Sequence, residues 1–427
     1  MNDDDLSHGL WEASAPAAPE TPALEGRRRV SVAVVGAGYT GLSCALHLAE
    51  RGFDVAVLEA VAVGWGGSGR NVGLVNAGLW LPPEELPKRL GDVHGPRVLS
   101  LLSGGPAEVF ARVEKHAIDC EAMPRGTLHC AVGAVGLAEL AERERQWKAV
   151  GAPVQLLDAA AAAAAIGSTA YAGALLDKRA GTIQPLAYAR GLARAAFAAG
   201  AAIHTASPVT EAREVAGGWE LHTPRGVLEA ERVVVATNAY SVGPWASLRR
   251  ELVHLPYFNF ATRPLAPEIR ARILPGLQGC WDTRTVLSSF RLDRAGRLVF
   301  GSVGALRGTG LAVHRAWARR AMTKIFPALA GVEFEHAWFG KIGMTGDAVP
   351  RLHRPAPGVL AICGYNGRGI APGTVFGRVL ADAVAGRVDD AELPLPVAPI
   401  EPARLRPARE LFYETGAQAA HFVDARF

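Results

Sequence analysis

The hydrophobic pattern changes most sharply between Arg29 and Glu59. A β-branched run (Val30, Val32, Val34, Val35) predicts a strand, apolar residues at helical spacing (Leu42, Ala45, Leu46, Ala49) predict a helix, and residues 54–58 predict a second strand. With glycines between the first strand and the helix, the segment reads as one βαβ unit. Further helices are predicted over 90–116, 137–150, 186–199, 313–325 and 374–385, and the alanine tract before Ile166 reads as a packed helix. Strands are predicted over 127–132, 201–204, 233–235, 285–290, 297–300 and 359–362, with a hairpin over 219–228. Residues 1–26 are rich in Asp, Ala and Pro, too polar for a core of their own, and predict a disordered or arm-like leader.

At 427 residues the chain exceeds one ordinary core, so two domains are expected. The pattern divides it into two discontinuous, interwoven parts. Residues 27–85, 166–250 and 339–427 form an α/β domain around the βαβ unit, and residues 86–165 and 251–338 form an α+β domain for a substrate. A chain that is 49% hydrophobic and 20% charged can bury a large core, which excludes wholesale disorder. The net charge of +4 comes from scattered arginines, with one tight run at Arg27, Arg28 and Arg29, which is too diffuse for a nucleic-acid surface. The five cysteines (Cys44, Cys120, Cys130, Cys280, Cys363) are odd in number and form no CxxC pair, which predicts reduced thiols in a cytoplasmic setting. No apolar stretch approaches the ~18 residues of a membrane span. His254 and His336 lack metal-ligand spacing, and no metal is expected.

Gly36, Gly38 and Gly41 form a GxGxxG that follows a strand and opens a helix, with Tyr39 and Thr40 inside it and Glu59 ending the next strand. The first glycine permits the turn, the second admits a pyrophosphate, and the third lets helix and strand pack, leaving the helix N-terminus facing phosphate charge. Glu59 suits a ribose diol and repels a 2′-phosphate. FAD and NAD share this fingerprint. A second glycine-rich stretch (Gly64, Gly66, Gly67, Ser68, Gly69, Arg70, Asn71, Gly73) follows the second strand, and a simple NAD domain has no need of it. Its backbone N–H groups can approach a flat polar ring and phosphate oxygens, although its composition alone equally fits a surface loop.

The run 32–41, the loop GWGGSGRNVGLVNAGLW (Gly64 to Trp80) and the terminal GYNGRG (Gly364 to Gly369) resemble the D-amino-acid-oxidase-like superfamily of FAD enzymes, over nearly the whole chain after the leader. WDTRTVLSS (Trp281 to Ser289) and LFYETG (Leu411 to Gly416) are similar to the L-pipecolate oxidase branch of N-methyl amino acid oxidases, and more distantly to gamma-glutamylputrescine oxidase. The resemblance implies a Rossmann-like FAD-binding domain interwoven with an α+β substrate domain. It implies FAD contacts from Gly36, Gly38, Tyr39, Thr40, Gly41, Glu59 and Ala60, and flavin-side contacts from Gly67, Ser68, Gly69, Arg70 and Asn71. It further implies adenine-side contacts at Val209, a turn at Ala236, Thr237 and Asn238 where relatives carry Ala-Thr-Gly, and a loop from Gly364 through Tyr365, Asn366, Gly367, Arg368 and Gly369 to Ile370 beside the isoalloxazine.

Gly340 stands where sarcosine oxidases carry the cysteine that attaches FAD, which implies a non-covalent cofactor. Ile342 stands near the arginine of glycine and D-amino-acid oxidases, and Thr345, Gly346 and Asp347 replace the usual Thr-Pro-Asp. A different cation must then hold a substrate carboxylate, and Arg284 and Arg368 are the candidates, each open to a plain ion-pair reading. Tyr257, Phe258, Trp338 and Tyr365 are candidates for an apolar wall, with Ser289 on the substrate side; core packing is the alternative for each aromatic residue. Arg284, Tyr365 and Arg368 are thus the expected catalytic set, acting by positioning. The implied reaction oxidises the C–N bond of a small-molecule secondary-amine amino acid to an imine by hydride transfer to flavin N5. Oxygen is the expected acceptor. A gamma-glutamylputrescine-type oxidase, a dehydrogenase serving a quinone and a non-catalytic flavin-binding protein stay open as alternatives.

Overall fold

A computed structural model describes residues 8–424. Its first sheet has the strand order Arg351–Ala356, Val359–Cys363, Gly226–Val235, Gly26–Val35, Val55–Leu58, Ala202–His204. All neighbours run parallel except the antiparallel edge pair formed by the first two. Buried on both faces, Val32, Val34 and Val35 pack between helices on one side and the strands Glu211–Val215 and Gly218–His222, with their neighbours, on the other. The helices Tyr39–Ala49 and Ile370–Val384 cross closely because Gly373 and Gly377 lie one turn apart. A Cβ on Gly377 would stand 2.5 Å from the Ser43 Cβ.

The second sheet has the order Phe334–Met344, Val253–Thr262, Leu298–Val303, Ser288–Leu292, Gly279–Asp282, Thr127–Ala131, Gly173–Asp177, Val154–Leu157, and only the pair Gly279–Asp282 with Thr127–Ala131 is parallel. One face carries an aromatic core of Phe258, Phe260, Phe290, Phe300 and Trp317, under the helix Gly310–Ile325. The family-type architecture of a parallel nucleotide-type sheet joined to a largely antiparallel sheet is therefore present.

Four segments depart from the expected division. The predicted helix over 90–116 is two helices, Glu85–Ser103 and Gly105–Lys115, and Leu86, Val98, Leu102 and Val109 bury against the first sheet's core. The strand Gly173–Asp177 belongs to the second sheet, as does all of Phe334–Met344, which crosses the drawn boundary at 338/339. The C-terminal helix Arg406–Val423 packs beside Gly310–Ile325 and on the strand Val253–Thr262, not in the first domain. The pattern of each of these segments states that some of its residues are buried without stating against which sheet.

Residues 1–7 of the expected leader lie outside the described residues. From His8 the segment is not disordered. Leu10 and Trp11 are fully buried in the short helix Leu10–Ser14, where the Trp11 ring meets Trp338 edge to face at 5.4 Å. Leu24 buries farther along, its amide donating to the Ser207 hydroxyl. The arm has no core of its own and uses one supplied by Ala261, Val299 and Trp338 of the second sheet and Leu186 of the helix Pro185–Ala198.

Candidate active site

The strand ends of the first sheet and one face of the second enclose a cavity of about 770 Å³, within the range of small-molecule and cofactor sites. Its floor begins at the turn after the strand Gly26–Val35. Gly36 has φ +105°, and a Cβ there would stand 3.0 Å from the Ala236 carbonyl oxygen; a Cβ on Gly41 would fall 1.9 Å from the Gly36 oxygen. The turn therefore closes only with glycine at both places. Helix Tyr39–Ala49 opens on the cavity with no side-chain cap, and the Tyr39 amide donates to the Ser68 hydroxyl at 3.1 Å. Helix Ile370–Val384 opens on the same cavity, also uncapped. Two helix N-termini facing one cavity suit an anionic ligand.

Glu59 is held by its neighbours: one carboxylate oxygen accepts from the Ala37 amide (2.8 Å) and the other from the Val61 amide (3.0 Å). Burial raises its pKa, the backbone donors opposing. Asn238 has φ +43°, a conformation asparagine tolerates better than most residues and the reason it can stand in a glycine's place. Its side-chain oxygen accepts from the Gly364 amide at 2.9 Å, tying the 236–238 turn to the loop that begins at Gly364. In that loop Asn366 (φ +52°) accepts from the Thr345 amide at 2.8 Å, and the Tyr365 hydroxyl meets Thr40 Oγ1 at 2.7 Å. Burial pushes the Tyr365 phenol up, so it acts here as a hydrogen-bonding group.

Most of the expected site residues line this one cavity. Gly36, Gly38, Tyr39, Thr40, Glu59, Ala60, Gly67, Ser68, Arg70, Asn71, Val209, Ala236, Thr237 and Asn238 do so, as do Tyr365 to Ile370, Tyr257, Arg284 and Ser289. Gly41, Gly69 and Gly364 do not reach it. They lie behind the lining, where a Cβ would meet the Gly36 oxygen, the Gly64 oxygen (2.4 Å) and Thr345 Cγ2 (2.4 Å) respectively.

Phe258 and Trp338 are corrections, because neither lines the cavity. Phe258 points to the far face of its strand and stacks on His314 at 4.8 Å. Trp338 is on the cavity-side face, but the arm covers it: Trp11 packs on its ring, and its indole N–H donates to the Arg70 carbonyl at 3.1 Å.

The two candidate carboxylate anchors differ. Arg284, 37% exposed at its side chain, already pairs with Asp424 at 2.9 Å. Arg368 is buried, donates Nη1 to the Ala77 carbonyl at 2.6 Å, and leaves Nε without a partner. Its guanidinium carbon lies 5.0 Å from the Trp80 ring centroid and 5.7 Å from that of Trp281. Burial, then the nearby Arg143 charge, pushes its pKa down, while Asp177 opposes. Among the described residues no carboxylate pairs with it.

Sequence reasoning missed Trp80 and Trp281, although both sit inside quoted motifs, and it placed His254 in the core or on the surface. His254 lines the cavity. Its ring contacts the Ala239 carbonyl at 2.7 Å and the Arg249 guanidinium at 2.8 Å, and burial, then Arg249, lowers its pKa to about 4. Tyr257 shares a 2.6 Å hydrogen bond with Ser289. Next to Trp281, Asp282 is pushed up to about 6 by burial, although its Oδ1 accepts from the Arg284 and Ser288 amides. None of the five cysteines lines the cavity.

The FAD dependent oxidoreductase family model, DAO, matches residues 31–383. The chain is 31% identical over 395 residues to a probable oxidoreductase OrdL of Rhizobium meliloti (strain 1021), across 90% of each protein. It is 33% identical over 361 residues to gamma-glutamylputrescine oxidoreductase of Escherichia coli (strain K12), across 83% of each. Among solved structures, glycine oxidase from Geobacillus kaustophilus superposes with a TM-score of 0.69 at 23% identity, covering 88% of this chain and 99% of that one. Among the described residues no helix is long and apolar enough to cross a membrane.

Proposed function

The chain belongs to the DAO family of FAD-dependent oxidoreductases, and within it we propose that the protein oxidises the C–N bond of an amino acid bearing a secondary amine, cyclic as in L-pipecolate or N-methylated. The observation that carries this reading is Arg368, a buried guanidinium that lines the cavity and lacks a carboxylate of its own. Such a group is costly to bury alone and suits an anionic substrate that completes it.

The residues present fit FAD, held without a covalent bond. The glycine turn and the uncapped end of helix Tyr39–Ala49 suit the pyrophosphate, and Glu59 suits the ribose. Loops 67–71 and 364–370 suit the ring. FAD supplies the two-electron acceptor that the oxidation needs. The chain supplies position. Arg368 fixes the carboxylate end, Trp80 and Trp281 hold the guanidinium plane, and Tyr257 with Ser289 presents a hydroxyl pair to the amine end. His254, neutral at ordinary pH, adds no positive charge against a cationic amine.

A second reading has its own support, the 33% identity to gamma-glutamylputrescine oxidoreductase. In it Arg368 holds the carboxylate of a longer substrate whose amine lies at the other end of the cavity. A panel assay separates the two. L-pipecolate, L-proline, sarcosine and gamma-glutamylputrescine are each supplied with oxygen or a quinone, and the imine or aldehyde product is quantified. Turnover confined to gamma-glutamylputrescine replaces the first reading by the second, and turnover of none rejects both.

A further inference from the structure

Glu251, His353 and Cys363 come together on the far side of the loop 364–370, and their ligand atoms lie within 4.8 Å of one another with all three residues buried. From this geometry we propose a second site that nothing in the flavin reading uses: a binding site for one thiophilic divalent cation of the zinc class, held by Cys363 Sγ, His353 Nε2 and Glu251 Oε2.

The His353 ring is oriented by its other nitrogen, Nδ1, which lies 2.8 Å from the Ala398 carbonyl. With Nδ1–H donating there, Nε2 presents a lone pair, the arrangement metal-bound histidines ordinarily show. Nε2 stands 2.9 Å from Glu251 Oε2 and 3.8 Å from Cys363 Sγ. Yet Oε2 is buried with no hydrogen-bond partner. A ring lone pair and a carboxylate oxygen this close repel unless a proton on Nε2 or a metal cation lies between them, and a cation uses the neighbouring Cys363 sulfur as well. The other carboxylate oxygen is 3.3 Å from Arg351 Nε, so the arginine serves Oε1 and leaves Oε2 to the cluster.

Bond lengths of about 2.0–2.3 Å to zinc put tetrahedral ligand atoms roughly 3.3–3.8 Å apart; the 3.8 Å between Nε2 and Sγ meets this, and the 2.9 Å between Nε2 and Oε2 must widen by a few tenths of an ångström as the cation enters. Sulfur, imidazole and carboxylate together select zinc over magnesium or calcium. Binding displaces the Cys363 thiol proton to solvent, and thiolate and carboxylate together balance the cation's two charges.

The position gives the site a consequence. Cys363 ends the strand Val359–Cys363 and directly precedes the loop that lines the cavity, while His353 lies on the edge strand Arg351–Ala356. Glu251 leads into the strand Val253–Thr262 of the second sheet. A bound cation therefore ties the edge of the first sheet to the second at the foot of the flavin-side loop. Ligand spacing in the sequence gave no sign of it, because Glu251 is remote in the chain and only the fold brings it in.

The test uses the full-length holoenzyme, incubated with zinc, dialysed against metal-free buffer and analysed for zinc by mass spectrometry. The expected result is one equivalent per chain in the wild type and in His336→Gln, a histidine outside the cluster, and loss of that equivalent in Cys363→Ser and His353→Gln. Zinc-free wild type overturns the proposal without reference to any variant. Undiminished zinc in both cluster variants also overturns it, since the metal is then held elsewhere. Should the variants not fold, cobalt substitution of the wild type decides: a thiolate-to-cobalt charge-transfer band in the difference spectrum against the zinc form supports the site, and its absence with cobalt bound overturns it.

Discussion

Replacing Arg368 by Met removes the charge while keeping much of the apolar stem between Trp80 and Trp281. In the substrate complex the variant loses a charge-assisted pair. Hydrogen bonds to charged groups are worth about 1.5–3 kcal/mol each, and truncating one partner of a buried pair costs about 2–5 kcal/mol. A loss near 3–4 kcal/mol corresponds to roughly 10²–10³-fold in kcat/KM. The substrate-free protein responds differently. Arg368 keeps one 2.6 Å hydrogen bond to Ala77, has a partnerless Nε and lies near Arg143 and Arg179, and the opposing Asp177 already pairs with Arg179. Deleting a buried charge that no carboxylate pairs with relieves its desolvation cost, so the melting temperature holds or rises. The assay compares an amino acid substrate with its carboxamide in both proteins. Wild type prefers the acid by the factor above, and the Met variant treats acid and amide alike. A variant that keeps the acid preference, or loses the same factor on both compounds, refutes the assignment of the carboxylate to Arg368.

Three further outcomes are expected. Asp282→Asn keeps the oxygen that accepts from the Arg284 and Ser288 amides. Because burial raises the folded pKa from 3.8 to about 6, wild type has its full stability below the unfolded value and loses it as pH rises through about 6. The variant should overtake wild type across that window by up to roughly 3 kcal/mol, and parallel stability curves from pH 4 to 7 would contradict this. Gly41→Ala puts a methyl 1.9 Å from the Gly36 oxygen, and should cost about 3 kcal/mol or more together with flavin retention on gel filtration; a yellow, wild-type-stable variant would show that the turn relaxes. Phe258→Ala should lower stability by about 3–5 kcal/mol with KM unchanged, whereas a KM effect at unchanged stability would return Phe258 to the pocket.

The glycine turn was legible because its spacing and its place between a strand and a helix lie within one short segment, even though only Gly41 answers to a nearby atom, the Gly36 oxygen, while Gly36 answers to Ala236. The candidate pocket was less so, for two physical reasons. Adjacent strand residues face opposite sides, so Tyr257 and Phe258 cannot both line one cavity, and the sequence does not say which face looks inward. The rest depends on partners remote in the chain. Trp338 lies on the inward face, yet Trp11 covers it. Arg284 resembles an anchor until Asp424, 140 residues on, is seen to neutralise it. Arg368 remains available because no such partner arrives, and an absence of that kind is invisible without the fold.

The central claim is tested most directly by the visible spectrum of the purified protein under anaerobic conditions during titration with L-pipecolate, sarcosine, L-proline and gamma-glutamylputrescine. The account predicts an oxidised flavin spectrum that bleaches with at least one of these compounds, and with the carboxamide of that compound only at far higher concentration. A yellow protein that none of them reduces, or one bleached equally by acid and amide, would contradict it.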